Sequence, residues 1–259
     1  MLLGGLLGAF IGPELAVRGR WMLTTEYAGS FTLLAGAYLL GLVIISFHKD
    51  RPIEHSEQRG SGRPISQILR AAPVVLAVCS AAIAYAVMSL IMTATPISMH
   101  QHAGHSLEAT KVVIQSHIAA MYLPSLVYGA LFARLGFKGM MWTGVVILFG
   151  CLLVALLDTR LMNYWLALSL LGVGWNFLFL SGTNLLPYGY RPEERFRVQS
   201  SNDFMVFSVQ ALVSLSSGWL LFQWQWQGLL WVCVPLLLAY LTLLARVDFK
   251  TLTLPASAR

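Results

Sequence analysis

Charge is scarce in this sequence. Only 11% of its 259 residues are Asp, Glu, Lys or Arg, while 57% are hydrophobic and the mean hydropathy is +0.70. A soluble globular domain carries nearer a quarter charged residues, so that class is excluded. Cysteine is scarce too. Cys79, Cys151 and Cys233 lie inside apolar runs, without C-x-x-C or zinc spacing, which leaves packing as their role. There is no nucleophile elbow, phosphate-cradling glycine loop or H-E-x-x-H motif, so no enzyme class, cofactor or metal gains support. The short alternating segments of an outer-membrane barrel are missing as well.

What the sequence does hold is long apolar runs of about 20 residues, the length that crosses a bilayer core. The fold class this predicts is an all-α, polytopic helical membrane protein with eight spans. They cover Leu2 to Val17, Tyr27 to Phe47, Ala71 to Ser98, Val112 to Ala133, Met140 to Leu157, Tyr164 to Pro187, Ser201 to Phe222 and Gly228 to Ala245. Met1 is followed at once by apolar residues, without a positive n-region, so the first run reads as a span rather than a cleaved signal. The net charge is +6, but the basic residues sit in loops between spans, where they set orientation rather than bind nucleic acid. Thirteen of the seventeen Lys and Arg fall on one side; Arg18, Arg20, Lys111 and Arg160 fall on the other. The basic side is cytoplasmic by the positive-inside rule, which puts both termini in the cytoplasm. Trp21, Trp165, Trp224 and Trp226 mark outer span ends, and Trp142 an inner one.

The spans are not alike. The second, fifth and eighth are almost purely apolar, and polar residues concentrate in the pairs between them. This period of three is a weak internal repeat of the kind that builds transporters. Helical spacing puts Tyr85, Ser89, Met92 and Pro96 on one face, with Thr93 beside them, and His117, Met121, Pro124 and Tyr128 on another. Ser169, Gly172, Asn176 and Thr183 share a face of the sixth span. Asp203, Phe207, Gln210, Ser214, Ser217 and Leu221 share one of the seventh.

Such faces line a solute path or bond neighbouring helices. Packing is the better reading for each Ser and Gly, and both readings stand for His117, Asn176 and Gln210. Asp203 reads as an acid in the first turn of its helix, where it caps or serves the dipole, with a proton-carrying role as the alternative. His100, His102 and His105 fall within six residues, a composition that can hold a metal. No carboxylate is interleaved among them, and no metal is expected there.

Two segments carry a family resemblance. GALFARLGFKG, Gly129 to Gly139, resembles the cytoplasmic G-x-x-x-D-R-x-G-R-R loop of the major facilitator superfamily. Gly129, Arg134, Gly136 and Lys138 match, and Ala133 stands where the acid would be. Gly8, Gly12 and Pro13 resemble the Gly-Pro motif of the superfamily's fifth helix, with Ala16 and Val17 in place of its closing Gly pair. QSHIAAMYLPSLVYG and GWNFLFLSGTNLLPYGYRPEERFRVQSSNDF are similar to a bacterial branch that includes riboflavin-type permeases.

The resemblance implies helices five to twelve of a twelve-helix fold. Residues 1–47 would be two helices of the N-terminal half, 48–70 the central cytoplasmic loop, 71–245 the C-terminal six-helix bundle and 246–259 a cytoplasmic tail. It implies a permease of a bacterial inner membrane, not an enzyme. Such a permease moves a small organic solute by alternating access, with proton coupling unlocated. The expected solute-contacting set is Tyr85, Ser89, Thr93, His117, Asn176, Asn184 and Gln210. The expected cytoplasmic gate is Gly129, Arg134, Gly136, Arg195 and Asp203. The partners implied are the solute, the lipid bilayer, and either self-association or a missing N-terminal half. The competing reading is a non-transporting membrane remnant or scaffold.

Overall fold

The computed structural model describes residues 4, 7, 8, 10–12, 28–48 and 62–252. It falls into two units, residues 1–61 and 62–259. In the first unit, α1 (Ala28–Ser46) is an uninterrupted apolar helix of 19 residues, about long enough to cross a bilayer core. Pro13, Glu14, Arg18, Arg20, Trp21, most of the polar stretch after His48, and the tail from residue 253 lie outside the described residues.

The second unit is a helical bundle: α2 (Ile65–Ile68), α3 (Ala72–Ile97), α4 (Leu107–Tyr122), α5 (Ser125–Leu157), α6 (Leu161–Leu185), α7 (Arg195–Arg246) and α8 (Phe249–Leu252). Two of these are pairs of helices joined by sharp turns. Gly136 breaks α5, and Gln225 breaks α7. Counting residues 107–135, interrupted only at Pro124, as one stretch, the bundle holds six long helical stretches, which overlap the third to eighth apolar runs read from the sequence.

Local chemistry sets the breaks. Pro73 opens α3, where a missing N–H costs nothing. Gly104, at φ 71°, turns the chain, and the Ser106 hydroxyl then caps α4 by accepting from the Ala109 N–H at 3.1 Å. Pro124 separates α4 from α5, because its ring removes a donor and crowds the preceding turn. Gly136 has φ 61° and ψ −175°, a conformation open in practice only to glycine. A Cβ at Gly136 would meet nothing within 4 Å, so its cost would be conformational alone. Gly136→Ala should therefore lower stability by about 1–3 kcal/mol, read as a drop in melting temperature in detergent. An unchanged melting temperature would mean that the turn is not held in this conformation.

Helix α6 is the centre of the bundle, and no residue from 167 to 182 is exposed. Three of its glycines bring backbones together on three sides. A Cβ at Gly172 would lie 2.7 Å from the His117 carbonyl oxygen of α4, and one at Gly182 would lie 2.7 Å from the Ala77 carbonyl oxygen of α3. A Cβ at Gly174 would lie 3.1 Å from the Gly144 carbonyl oxygen of α5. Close approach through small residues is how helices associate where no hydrophobic effect separates them from lipid. Helix α7 packs along α3 and also touches α5.

Candidate functional site

The polar residues read from the sequence settle into two seams and one open face. The first seam joins α4 to α6. His117 is fully buried, and its Nδ1–H donates to the Leu168 carbonyl at 2.8 Å. Asn176, also buried, donates from Nδ2 to the Met121 carbonyl and to the Ser125 hydroxyl, both at 2.7 Å. The Pro124 break explains this. Around it the i to i−4 ladder is interrupted, and Leu126 and Val127 bond back only three residues. The Met121 carbonyl, left over at the break, is satisfied by the Asn176 amide, as a broken span in lipid requires.

The second seam joins α3 to α7. The Ser217 hydroxyl donates to the Leu90 carbonyl at 2.8 Å, and the Thr93 and Ser214 hydroxyls lie 3.3 Å apart. Ser89 is buried on α3, and Gln210 is half-buried on α7. Thr183 and Asn184 are exposed at the end of α6.

The open face is aromatic. Tyr85 of α3 meets Trp175 and Phe179 of α6 edge to face, with ring centres at 5.3 and 5.4 Å, and Phe207 of α7 at 5.7 Å. Trp175 and Phe179 stack, 4.9 Å apart and 13° from parallel. Tyr85 is half-buried, and Phe207 is 51% exposed. The Trp175 indole N–H is buried without a hydrogen-bond partner among the described residues. Asp203 and Tyr122 are near enough to interact electrostatically with Tyr85. Of the expected solute-contacting set, Tyr85 lies at this face, and Thr93 and Gln210 lie on α3 and α7 with the second seam. His117 and Asn176 are engaged in the α4–α6 seam. Trp175 and Phe179 were not singled out from the sequence, although their i, i+4 spacing opposite a tyrosine-bearing helix was available as a signal.

The residues expected to form the gate are placed as follows. Gly129, Arg134 and Arg195 are exposed, and Gly136 makes the turn described above. Asp203 is also exposed, and its carboxylate accepts from Asn202 Nδ2 at 3.0 Å. It is not a cap: α7 begins at Arg195, so Asp203 lies beyond the second turn.

The end where α7 begins holds a group the sequence did not reveal. Glu194 is fully buried and accepts four hydrogen bonds: from Arg63 Nε at 3.0 Å, Arg63 Nη2 at 2.7 Å, the Arg63 N–H at 3.0 Å and the Arg191 N–H at 2.9 Å. Arg63 Nη2 also donates to the Gly189 carbonyl at 3.2 Å. The Arg63 guanidinium and the two N–H donors outweigh burial and hold the Glu194 carboxyl down at about 2. Glu194 precedes α7 in the charged connection, outside the apolar span.

At the opposite end, His100 donates from Nδ1 to the His105 carbonyl at 2.9 Å, and His105 donates from Nε2 to the Thr159 carbonyl at 2.8 Å. These rings latch loops together, and no metal-holding group of three is found among the described residues.

The family of this bundle of broken, apolar spans is decided by its similarity to known proteins. The family profile described as Major Facilitator Superfamily matches residues 1–214. The chain belongs to the major facilitator superfamily. Among curated superfamily members, the riboflavin transporter RfnT of Brucella anthropi is 33% identical over 239 residues, 91% of this chain and 60% of that protein. The uncharacterized MFS-type transporter YdeG of Bacillus subtilis is 34% identical over 216 residues, 77% of this chain and 50% of that protein. A second from Bacillus subtilis, YddS, is 31% identical over 223 residues, 79% of this chain and 51% of that protein. The chain thus spans half to three fifths of the length of these superfamily relatives. No solved structure matches it at a significant level.

Proposed function

We propose that this chain is the working part, or a large share, of a secondary transporter that moves a small organic solute with a planar aromatic ring by alternating access. The observation that carries the solute class is the half-open aromatic face of Tyr85, Trp175, Phe179 and Phe207. Its rings offer edges and a face to a flat guest. The similarity to a riboflavin transporter supports the same reading, since riboflavin carries a flat ring system. In this proposal the membrane is a bacterial inner membrane, and the end bearing Arg134, Lys138 and Arg195 faces the cytoplasm. Gly129, Arg134, Gly136, Arg195 and Asp203 act there as the gate.

Riboflavin is the probe that tests the aromatic face, because stacking on protein rings quenches its fluorescence. The purified chain in lipid nanodiscs should quench it saturably. Tyr85→Ala and Phe207→Ala should each weaken binding by about 5- to 20-fold, the value of one aromatic contact with its buried area. Phe207 is exposed, so its variant tests the face without emptying the core. Binding that is unchanged in both variants would remove the aromatic face from the proposal. Radiolabelled riboflavin counterflow in proteoliposomes tests transport itself.

A further inference from the structure

The end of the bundle opposite Arg63 and Glu194 holds a second feature that transport at the aromatic face does not use. A cavity of about 570 Å³ opens between the turn after α3, the connection from α5 to α6, and the break in α7. Its α7 wall is the run Gln223-Trp224-Gln225-Trp226-Gln227. Gln225 makes the break, at φ 57° and ψ −173°. A side chain in that region costs of order 1–3 kcal/mol and is kept where the surroundings enforce it. Gly228, three residues on, is committed elsewhere: a Cβ there would lie 2.5 Å from the Trp224 Cβ. The turn thus falls on a residue that brings an amide to the cavity.

The inner wall is fixed and the rim is free. Trp226 is buried, donates from its indole N–H to the Ala155 carbonyl at 3.4 Å, and packs on Tyr164 at 5.1 Å. The Tyr164 hydroxyl is locked to the Ser98 hydroxyl at 2.7 Å. Trp224 is 53% exposed beside this wall. Gln223, Gln225 and Gln227 are exposed, and among the described residues none of their amides has a hydrogen-bond partner. No Asp, Glu, Lys or Arg lines the cavity.

We propose that this cavity binds a small neutral polyol, a sugar or a sugar alcohol. Each glutamine amide offers two donors and an acceptor, which match hydroxyls that both donate and accept. The tryptophan supplies a flat surface for the C–H face of such a molecule. A charged ligand would lose hydration and find no carboxylate, ammonium or guanidinium to pair with, the one imidazole in the lining being His102. A purely apolar one would cover the amides and leave them unpaired. The volume falls within the range of small-ligand sites. The proposal is independent of the solute assigned to the aromatic face.

The test uses the purified chain in lipid nanodiscs and saturation-transfer NMR with ribitol and maltose as probes, and gluconate as the charged control. Transfer to ribitol or maltose and none to gluconate is the expected result. Trp224→Ala and the pair Gln223→Ala with Gln227→Ala should each weaken it about tenfold. Gln225→Gly, which keeps the turn and removes the amide, should weaken it about fivefold. Tyr85→Ala should leave it unchanged, which separates this cavity from the aromatic face. No transfer to either polyol, equal transfer to gluconate, or transfer that survives Trp224→Ala would each overturn the proposal.

Discussion

Replacing Glu194 with alanine should lower the stability of the folded chain by roughly 2–4 kcal/mol, a large share of what holds a domain together. The carboxylate is fully buried, and four donors converge on it. Removing it strands the Arg63 guanidinium and two backbone N–H groups. The loss falls short of the full figure for a dry ion pair because the Arg63 side chain is 24% exposed and regains some water. Arg63→Ala should cost at least as much, since the acid it abandons has no exposure. The double variant should cost less than the two losses added together, the mark of a direct pair.

The pairing also sets a pH dependence. The folded-state value of Glu194 lies near 2, below the ordinary 4.5, so its contribution is complete above about 4.5. It is lost as pH falls from there toward 2. Melting temperatures of the purified chain should drop across that window, and Glu194→Gln should flatten the drop. An Arg63→Ala variant as stable as the parent, with the acid drop intact, would show that the pair contributes nothing.

Gly172→Val should be as damaging, at about 3–5 kcal/mol, and for a steric reason. A Cβ at Gly172 would lie 2.7 Å from the His117 oxygen, 2.9 Å from the Met121 nitrogen and 3.0 Å from the Ala120 carbonyl carbon. All three are backbone atoms, so no side chain can swing aside. Helices α4 and α6 would have to part, and the His117–Leu168 and Asn176–Met121 hydrogen bonds lie in that same seam. Each bond lost in lipid leaves a polar group without water to replace it. Gly129→Val is the matched control, because a Cβ there meets nothing within 4 Å. Equal melting temperatures for the Gly172 and Gly129 variants would contradict the close crossing.

The spans of the second unit were legible because membrane length and apolarity are properties of contiguous sequence. Their ends were not. Helix α4 begins at Leu107 rather than Val112, and α7 at Arg195 rather than Ser201, because polar turns stay helical outside the apolar core. The same error placed Asp203 in a first turn that it does not occupy. Asn176 was legible as a polar residue facing another helix, but its task, closing the Pro124 break, needed the neighbouring helix in view. Glu194 had no local signal at all, since its partner lies 131 residues away. Trp175 and Phe179 were hidden for the opposite reason: in an apolar span an aromatic residue looks like any other packing residue.

The three glycines of α6 have a consequence for how the bundle meets membranes of different thickness. The middle of α6 is enclosed on three sides by backbone contacts with α3, α4 and α5, so bilayer stretching or thinning acts first on the helices around it. Those outer spans, one interrupted at Pro124 and others joined by the turns at Gly136 and Gln225, can tilt to match the hydrocarbon depth. Helix α6 then behaves as a fixed axle. Hydrophobic mismatch should appear as a change in the angle of the rim helices, with the register of the glycine crossings unchanged.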